Sequence, residues 1–220
     1  MNNRLFAIGD IHGCFDTLEE LVNNKIQLKK SDKLILLGDY IDRGAKSKEV
    51  VEYIIDLQKK GFNILPLMGN HEAMLLDAYD NEKNTLKWIQ NGGSETLKSF
   101  EISSLKKIEF KYIEFFKKLK YYYSSGDCLF VHAGFNDNVV NTFSDFYSML
   151  WKCKESYANP LLTNKTIIHG HNPISISKCE ERVLSKLNVI NIDTGCVYKD
   201  KEGFGRLTAY ECNNKRILFV

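Results

Sequence analysis

Five short apolar runs punctuate the chain, and each runs into a cluster of glycine with an acid, an amide or a histidine. Leu5-Phe6-Ala7-Ile8 leads into Gly9-Asp10-Ile11-His12-Gly13, and Leu34-Ile35-Leu36-Leu37 into Gly38-Asp39-Tyr40-Ile41-Asp42-Arg43-Gly44. Ile64-Leu65-Pro66-Leu67-Met68 leads into Gly69-Asn70-His71-Glu72, Leu129-Phe130-Val131 into His132-Ala133-Gly134, and Thr166-Ile167-Ile168 into His169-Gly170-His171. The runs are aliphatic, bounded by polar residues and too short for a helical repeat, which predicts buried strands of an α/β sheet. Between the first three runs the period changes. Leu18, Leu21 and Val22 follow Asp16, a candidate helix cap with Glu19 and Glu20 near the positive helix end. Val50, Val51, Ile54 and Leu57 follow Ser47, a second candidate cap, and Lys59-Lys60-Gly61 closes that helix. Repeated β-α units predict parallel strands with right-handed crossovers.

The pattern shifts after Ala73. A helix is expected over 73–79, another around Trp88 that stops at Gly92-Gly93, and an amphipathic one opened by Ser104. The last carries Leu105, Ile108, Tyr112, Phe115 and Leu119 at three- and four-residue steps. This stretch, about 73–125, reads as a helical insertion beside the strand ends, its aromatics serving the core. Strands return at 121–123, a Gly126-Asp127 turn and 128–131, then at 189–192, 207–212 and 216–219, which read as a second sheet. The polar, aromatic-studded segment 136–160 reads as a surface loop with a short helix. The expected fold is a two-sheet β-sandwich flanked by helices, α/β in class, as one domain over 1–220.

Composition narrows the partners. Thirty Lys+Arg against 28 Asp+Glu leave a net charge of +2, which provides no case for nucleic-acid or anionic-membrane binding. No apolar stretch approaches the ~20 residues of a membrane span, and Met1 is followed by polar residues rather than a leader. The six cysteines (Cys14, Cys128, Cys153, Cys179, Cys196, Cys212) are dispersed with no C-x-x-C pair, as expected for reduced thiols in a cytoplasmic protein.

All five histidines lie in strand-end clusters. Together Asp10, His12, Asp39, Asn70, His132 and His171 offer carboxylate, imidazole and amide oxygen without thiolate. Such mixed donors suit Mn, Fe or Zn rather than Ca. Six ligands exceed one four-coordinate ion and match two ions that share a carboxylate. A pair of ions ~3.5–4 Å apart lowers the pKa of a bound water and clamps the oxygens of an in-line displacement. The residues therefore point to hydrolysis of a phosphate ester.

Asp10-x-His12, Gly38-Asp39-x-x-Asp42-Arg43-Gly44, Gly69-Asn70-His71-Glu72, His132-Ala133-Gly134 and Gly170-His171 resemble the phosphoprotein phosphatase branch of the calcineurin-like metallophosphoesterases. The resemblance runs from Ile8 to about Tyr210. Trp88…Asn91-Gly92-Gly93 and Asn191-Ile192-Asp193-Thr194-Gly195 resemble the bacterial and phage lambda-phosphatase-like serine/threonine phosphatases. It implies Asp10 and His12 on one divalent ion, Asp39 as the bridge, and Asn70, His132 and His171 on a second, with Mn²⁺ expected and Fe or Zn as alternatives. It implies attack by a metal-bridging hydroxide, His71 as general acid held by Asp42, and Arg43 gripping the phosphoryl oxygens, with Asn70 also facing substrate.

The expected substrate is a phosphoserine or phosphothreonine protein or peptide, with phosphotyrosine added if the cleft is open, and the expected state a monomer. The alternative activity is symmetrical bis(5'-nucleosyl)-tetraphosphatase, which would favour a basic and aromatic cleft. A non-catalytic phosphopeptide-binding module is the third reading. His169 is expected to be structural, Glu72 a carboxylate at the start of a helix, and Asp193 a buried hydrogen-bonding residue. One departure from the resemblance stands out. Relatives carry Arg two residues after a mid-chain Trp, whereas Trp151-Lys152-Cys153-Lys154 puts Cys153 there, with Lys152 or Lys154 as substitutes.

Overall fold

A computed structural model describes residues 3–220; the leaderless start expected at Met1 lies outside them. Among the described residues nine strands form: β1 (Leu5–Ile8), β2 (Lys33–Leu36), β3 (Asn63–Pro66), β4 (Tyr122–Ser125), β5 (Cys128–Val131), β6 (Thr166–His169), β7 (Val189–Asn191), β8 (Thr208–Glu211) and β9 (Arg216–Phe219). The α-helices are α1 (Phe15–Glu20, continued to Ile26), α2 (Ser47–Lys59), α3 (Asn70–Asp80), α4 (Thr85–Trp88), α5 (Ser94–Ser99), α6 (Phe110–Lys117), α7 (Phe146–Trp151) and α8 (Ile176–Leu184). No described helix is long and apolar enough to cross a membrane.

The strands form two mixed sheets, of order β3-β2-β1-β8-β9 and β4-β5-β6-β7. β1, β2 and β3 run parallel, as the β-α repeats predict. The second sheet is parallel across β5, β6 and β7, with β4 added as an antiparallel hairpin strand. Here the structure corrects one expectation. β8 and β9 belong to the first sheet, where β8 pairs antiparallel with β1 through Phe6 and Glu211, Ala7 and Tyr210, and Ile8 and Ala209. Phe6, Ala7 and Ile8 are fully buried. A strand in that position needs a ladder partner on both edges, and β8 supplies the second.

Period-two alternation sorts the core. Phe6, Ile8, Leu34 and Leu36 face the helices with Val50, Val51 and Ile54. Ala7, Ile35 and Leu37 face inward onto Phe130, Ile168 and Ile190 of the other sheet. Leu129, Val131 and Ile167 cover the opposite face with Phe135 and Met149.

Several helix boundaries differ from expectation. Asp16 lies in the first turn of α1 rather than capping it, and its carboxylate pairs with Lys46 at 2.7 Å. Ser47 does not cap α2; its hydroxyl accepts the Asp42 N–H at 3.1 Å. The helix expected from Ser104 is split, because Ile108 and Glu109 are extended and α6 starts only at Phe110. Gly92, with φ +107°, is a kink rather than a stop, and the chain continues into α5. The kink is tied to the strand ends, since the Arg43 N–H donates to the Gly92 carbonyl at 3.2 Å.

Candidate active site

Parallel strands deliver their carboxyl ends to one edge, and there β1 presents Asp10 and His12, and β2 presents Asp39, Asp42 and Arg43. Asn70 and His71 open α3 beyond β3, while His132 and His171 follow β5 and β6. The backbone is strained where it does this. Of nine non-glycine residues with positive φ among the described residues, five are His12, Asp39, Asp42, Arg43 and His171. Such conformations persist only where surrounding structure holds them, and they gather at functional sites.

Glu72 supplies much of that hold. Its buried carboxylate accepts the backbone N–H groups of Gly69, Asp39, Tyr40 and Ile41 at 3.1, 2.9, 2.8 and 3.3 Å. It is therefore the helix-start carboxylate that the sequence suggests, and it also fixes the turn after β2.

Asp39 is the centre of the arrangement. Its Oδ2 lies 3.5 Å from His12 Nε2 and 3.9 Å from His71 Nε2, and its Oδ1 lies 3.5 Å from His132 Nε2. Among the described residues, two groups of donor atoms lie close enough to hold an ion, His12-Asp39-His71 and Asp39-His132-His171. Asn70 completes the second, with Oδ1 2.8 Å from His132 Nε2 and 2.9 Å from His171 Nδ1. Asp10 stands at the rim of this geometry and in neither group. Both of its oxygens accept the His171 N–H at 3.2 Å.

Hydrogen bonds select which imidazole nitrogen faces inward. His12 Nδ1 donates to the Ile41 carbonyl at 2.9 Å, and His132 Nδ1 to the Leu37 carbonyl at 3.0 Å. Each bond leaves Nε2 with a lone pair directed at the centre. Burial holds His12 down at about 3 and His171 at about 4, and lowers His132 as well, so these rings are neutral donors.

His71 differs. Its Nδ1 bonds Asp42 Oδ2 at 2.7 Å, while its buried Nε2 has no partner. Burial opposes the charged ring, but the Asp39 charge and the Asp42 bond outweigh it and raise its pKa. Asp42 is fixed in turn by Trp88 Nε1 at 2.9 Å and by the Thr96 hydroxyl, which donates to Oδ1 at 2.7 Å. The sequence alone assigns neither partner that role. A buried indole N–H in search of an acceptor was the available signal.

Arg43 Nη1 donates to His12 Nε2 at 2.8 Å, which places the guanidinium at the centre. Asp193 is a buried hydrogen-bonding residue beside the site, accepting the Gly195 N–H at 2.9 Å; burial pushes it up to about 7. Burial, then the Asp193 and Asp39 charges, raises Asp10 as well, against a weaker pull from Arg43. Buried carboxylates crowded in this way call for added positive charge. With neutral imidazoles aimed inward, the residues fit a pair of divalent cations sharing Asp39.

His169 is buried, with Nδ1 donating to the Gly170 carbonyl at 3.0 Å. Cys153 turns inward toward His169 Nδ1 and the Gly170 carbonyl, 3.7 Å from each. Lys154 is tied to Asp137 at 3.1 Å, and Lys152 lies over the Tyr147 ring. In this arrangement neither lysine stands in for a second guanidinium.

A family model described as calcineurin-like phosphoesterase matches residues 4–203. The asymmetrical bis(5'-nucleosyl)-tetraphosphatase PrpE of Oceanobacillus iheyensis is 26% identical over 241 residues, covering 99% of this chain and 92% of that protein. Serine/threonine-protein phosphatase 2 of Salmonella typhimurium is 29% identical over 203 residues, covering 87% of each. Among solved structures, a protein serine/threonine phosphatase from Saccharomyces cerevisiae superposes with a TM-score of 0.69 at 16% identity, over 99% of this chain and 79% of that one. That last likeness concerns the fold.

Proposed function

The chain belongs to the calcineurin-like phosphoesterase family, and from that premise we propose that it hydrolyses phosphoserine and phosphothreonine esters of proteins or peptides. One observation carries the choice: His71 is gripped at Nδ1 by Asp42 and aims an unpartnered, buried Nε2 at the centre. An alkoxide leaving from serine or threonine is a strong base and needs a proton as the P–O bond breaks, whereas a nucleotide leaving group does not. A charged imidazole held in one orientation is the device for that transfer.

Asp10, His12, Asp39, Asn70, His132 and His171 would hold two divalent ions, with Mn²⁺ the first choice and Fe or Zn alternatives. When bound, the pair supplies a nucleophile from water at neutral pH and neutralises charge on the phosphoryl oxygens. The remaining work falls to the chain. Arg43 presents a planar fork of donors to the phosphoryl group, Asn70 borders the same space, and His71 gives its Nε2 proton to the leaving oxygen. Asp42 keeps that ring charged and oriented, and Trp88 and Thr96 keep Asp42 in place.

A second reading, cleavage of dinucleoside tetraphosphates, draws on a ledge beside His171. The Trp151 ring meets His171 edge-on at 5.9 Å, Tyr147 stacks beside Trp151, and Lys87 and Lys152 lie over the Trp151 and Tyr147 rings. The exposed face of Tyr147 and the half-buried one of Trp151, with ammonium groups over them, can take a nucleobase and a polyphosphate. PrpE carries such an activity in its name. A side-by-side rate assay on Mn²⁺-loaded protein decides, using phosphoserine and phosphothreonine peptides against diadenosine tetraphosphate. Faster release from peptides is expected. Faster dinucleotide cleavage would overturn the reading, and the products would then distinguish symmetrical from asymmetrical cutting.

A further inference from the structure

We propose that Gly92 is a positioning residue for substrate phosphate: the kink it forms seats the Arg43 backbone so that the guanidinium faces the phosphoryl group. The inference rests on the hydrolase reading in one respect, that Arg43 is the group that grips phosphate. Arg43 is half-buried and lies in the left-handed region, with φ +68°. A non-glycine residue keeps such a conformation only where its surroundings impose it.

The side chain does not supply that constraint. Among the described residues its one side-chain hydrogen bond runs from Nη1 to His12 Nε2 at 2.8 Å. That imidazole nitrogen is the one turned inward as a metal donor, so the bond is closed to Arg43 once the nitrogen serves as a ligand. The aim of a long, flexible side chain must then come from where its main chain is held.

The main chain is held by Gly92. The Arg43 N–H donates to the Gly92 carbonyl at 3.2 Å. Gly92 has φ +107°, and a Cβ added to it would lie 2.8 Å from both the Arg43 nitrogen and its Cγ, and 3.3 Å from its Cα. Two of those three atoms are main chain, so a rotamer change does not relieve the overlap and Arg43 as a whole would have to shift. Glycine is needed there for two separable reasons, the backbone angle and the room left for Arg43. The kink is anchored in turn. Gly93 packs on the Trp88 ring with no space for a Cβ, and Trp88 Nε1 and Thr96 Oγ1 both donate to Asp42, the neighbour of Arg43. The stretch 88–96 therefore holds residues 42 and 43 in one register, the first through side chains and the second through Gly92.

The test measures binding of inorganic phosphate to the Mn²⁺-loaded protein by calorimetry, with bound ions counted by elemental analysis. Arg43→Ala should weaken binding about 10- to 100-fold, as expected for losing charge-assisted hydrogen bonds. Gly92→Ala, with Arg43 intact, should weaken it about tenfold and retain both ions. In an Arg43→Ala background the same glycine change should add less than about twofold, because the group it positions is gone. Alanine also strains the positive φ. Gly92→Asn tolerates that angle better while carrying the same Cβ, so it should weaken phosphate binding as alanine does, and it serves if the alanine variant does not fold.

Unchanged phosphate binding in the Gly92 variants, with Arg43→Ala weakened, would overturn the role given to Gly92 and leave the grip of Arg43 standing. Penalties that add in the double variant would overturn it as well, because Gly92 would then act by a separate route, and so would loss of an ion from Gly92→Ala. Undiminished binding in Arg43→Ala would retire the phosphate grip itself, and the role of Gly92 with it.

Discussion

On one side of Asp39, Asn70 Oδ1, His132 Nε2 and His171 Nδ1 lie within 3.1 Å of each other, three lone pairs converging on one point. On the other side His71 stands with Asp42, Trp88 and Thr96 behind it, and the residues grip its outer nitrogen rather than crowd its inner one. The residue type is shared and the chemistry opposite. His132 and His12 rest Nδ1 on backbone carbonyls, which fix a neutral tautomer, and burial then lowers their pKa. His71 rests Nδ1 on a carboxylate, and its pKa rises. The acceptor behind the ring decides whether a buried histidine offers a lone pair or a proton.

The contrast can be broken most severely on the donor side. His132→Ala should remove one of two bound ions by elemental analysis and cost turnover about a thousandfold or more, since an ion contributes several kcal/mol at the transition state. Retention of both ions would show that His132 is not a ligand.

Asp42→Asn should act more mildly, about 10- to 100-fold, and with a signature in pH. A general acid works while protonated, so activity falls as pH rises through the His71 pKa. Asp42 helps raise that pKa, so the substitution should move the alkaline limb of the rate profile to lower pH. An unmoved limb would separate His71 from it.

Smaller still, Trp88→Phe removes one donor to Asp42 and should cost about 1–3 kcal/mol in stability, with both ions retained. Thermal unfolding with metal analysis checks this, and loss of an ion would count against it.

The least effect on the site is expected far from it. Asp32 is buried, and its carboxylate accepts from Arg4 Nε at 3.0 Å and from the Lys29 N–H at 2.8 Å. Burial works against its charged form, yet these donors hold its pKa below the ordinary value. A depressed folded-state pKa gives stability that is present above the unfolded-state value and lost as pH falls through the folded one. Asp32→Asn should therefore cost about 1–3 kcal/mol at neutral pH, with the deficit closing in acid and turnover unchanged. A deficit that persists in strong acid would reject the ion pair as its source.

Much of this contrast was legible in the sequence because strand-end chemistry is local. An apolar run followed by Gly38-Asp39 or Gly69-Asn70-His71 carries its own signal. Sheet membership is not local: the stretch 207–212 reads as a strand but does not say which edge it joins, and the buried β1 decided that. The supports of Asp42 were hidden for the same reason, as Trp88 and Thr96 lie 46 and 54 residues away. The break before α6 was hidden too, since Leu105, Ile108 and Tyr112 keep helical spacing across an extended pair that periodicity does not register.

The most direct test of the proton-donor role is the leaving-group dependence of His71→Asn. Turnover and bound metal would be measured on a phosphoserine peptide and on p-nitrophenyl phosphate, whose leaving group needs no proton. The account predicts that both ions remain and that phosphoserine hydrolysis falls about 10²- to 10⁴-fold, with a much smaller loss on the aryl ester. Equal losses on the two substrates, or the departure of an ion, would make His71 a ligand and contradict the division of the centre into donor and acid sides.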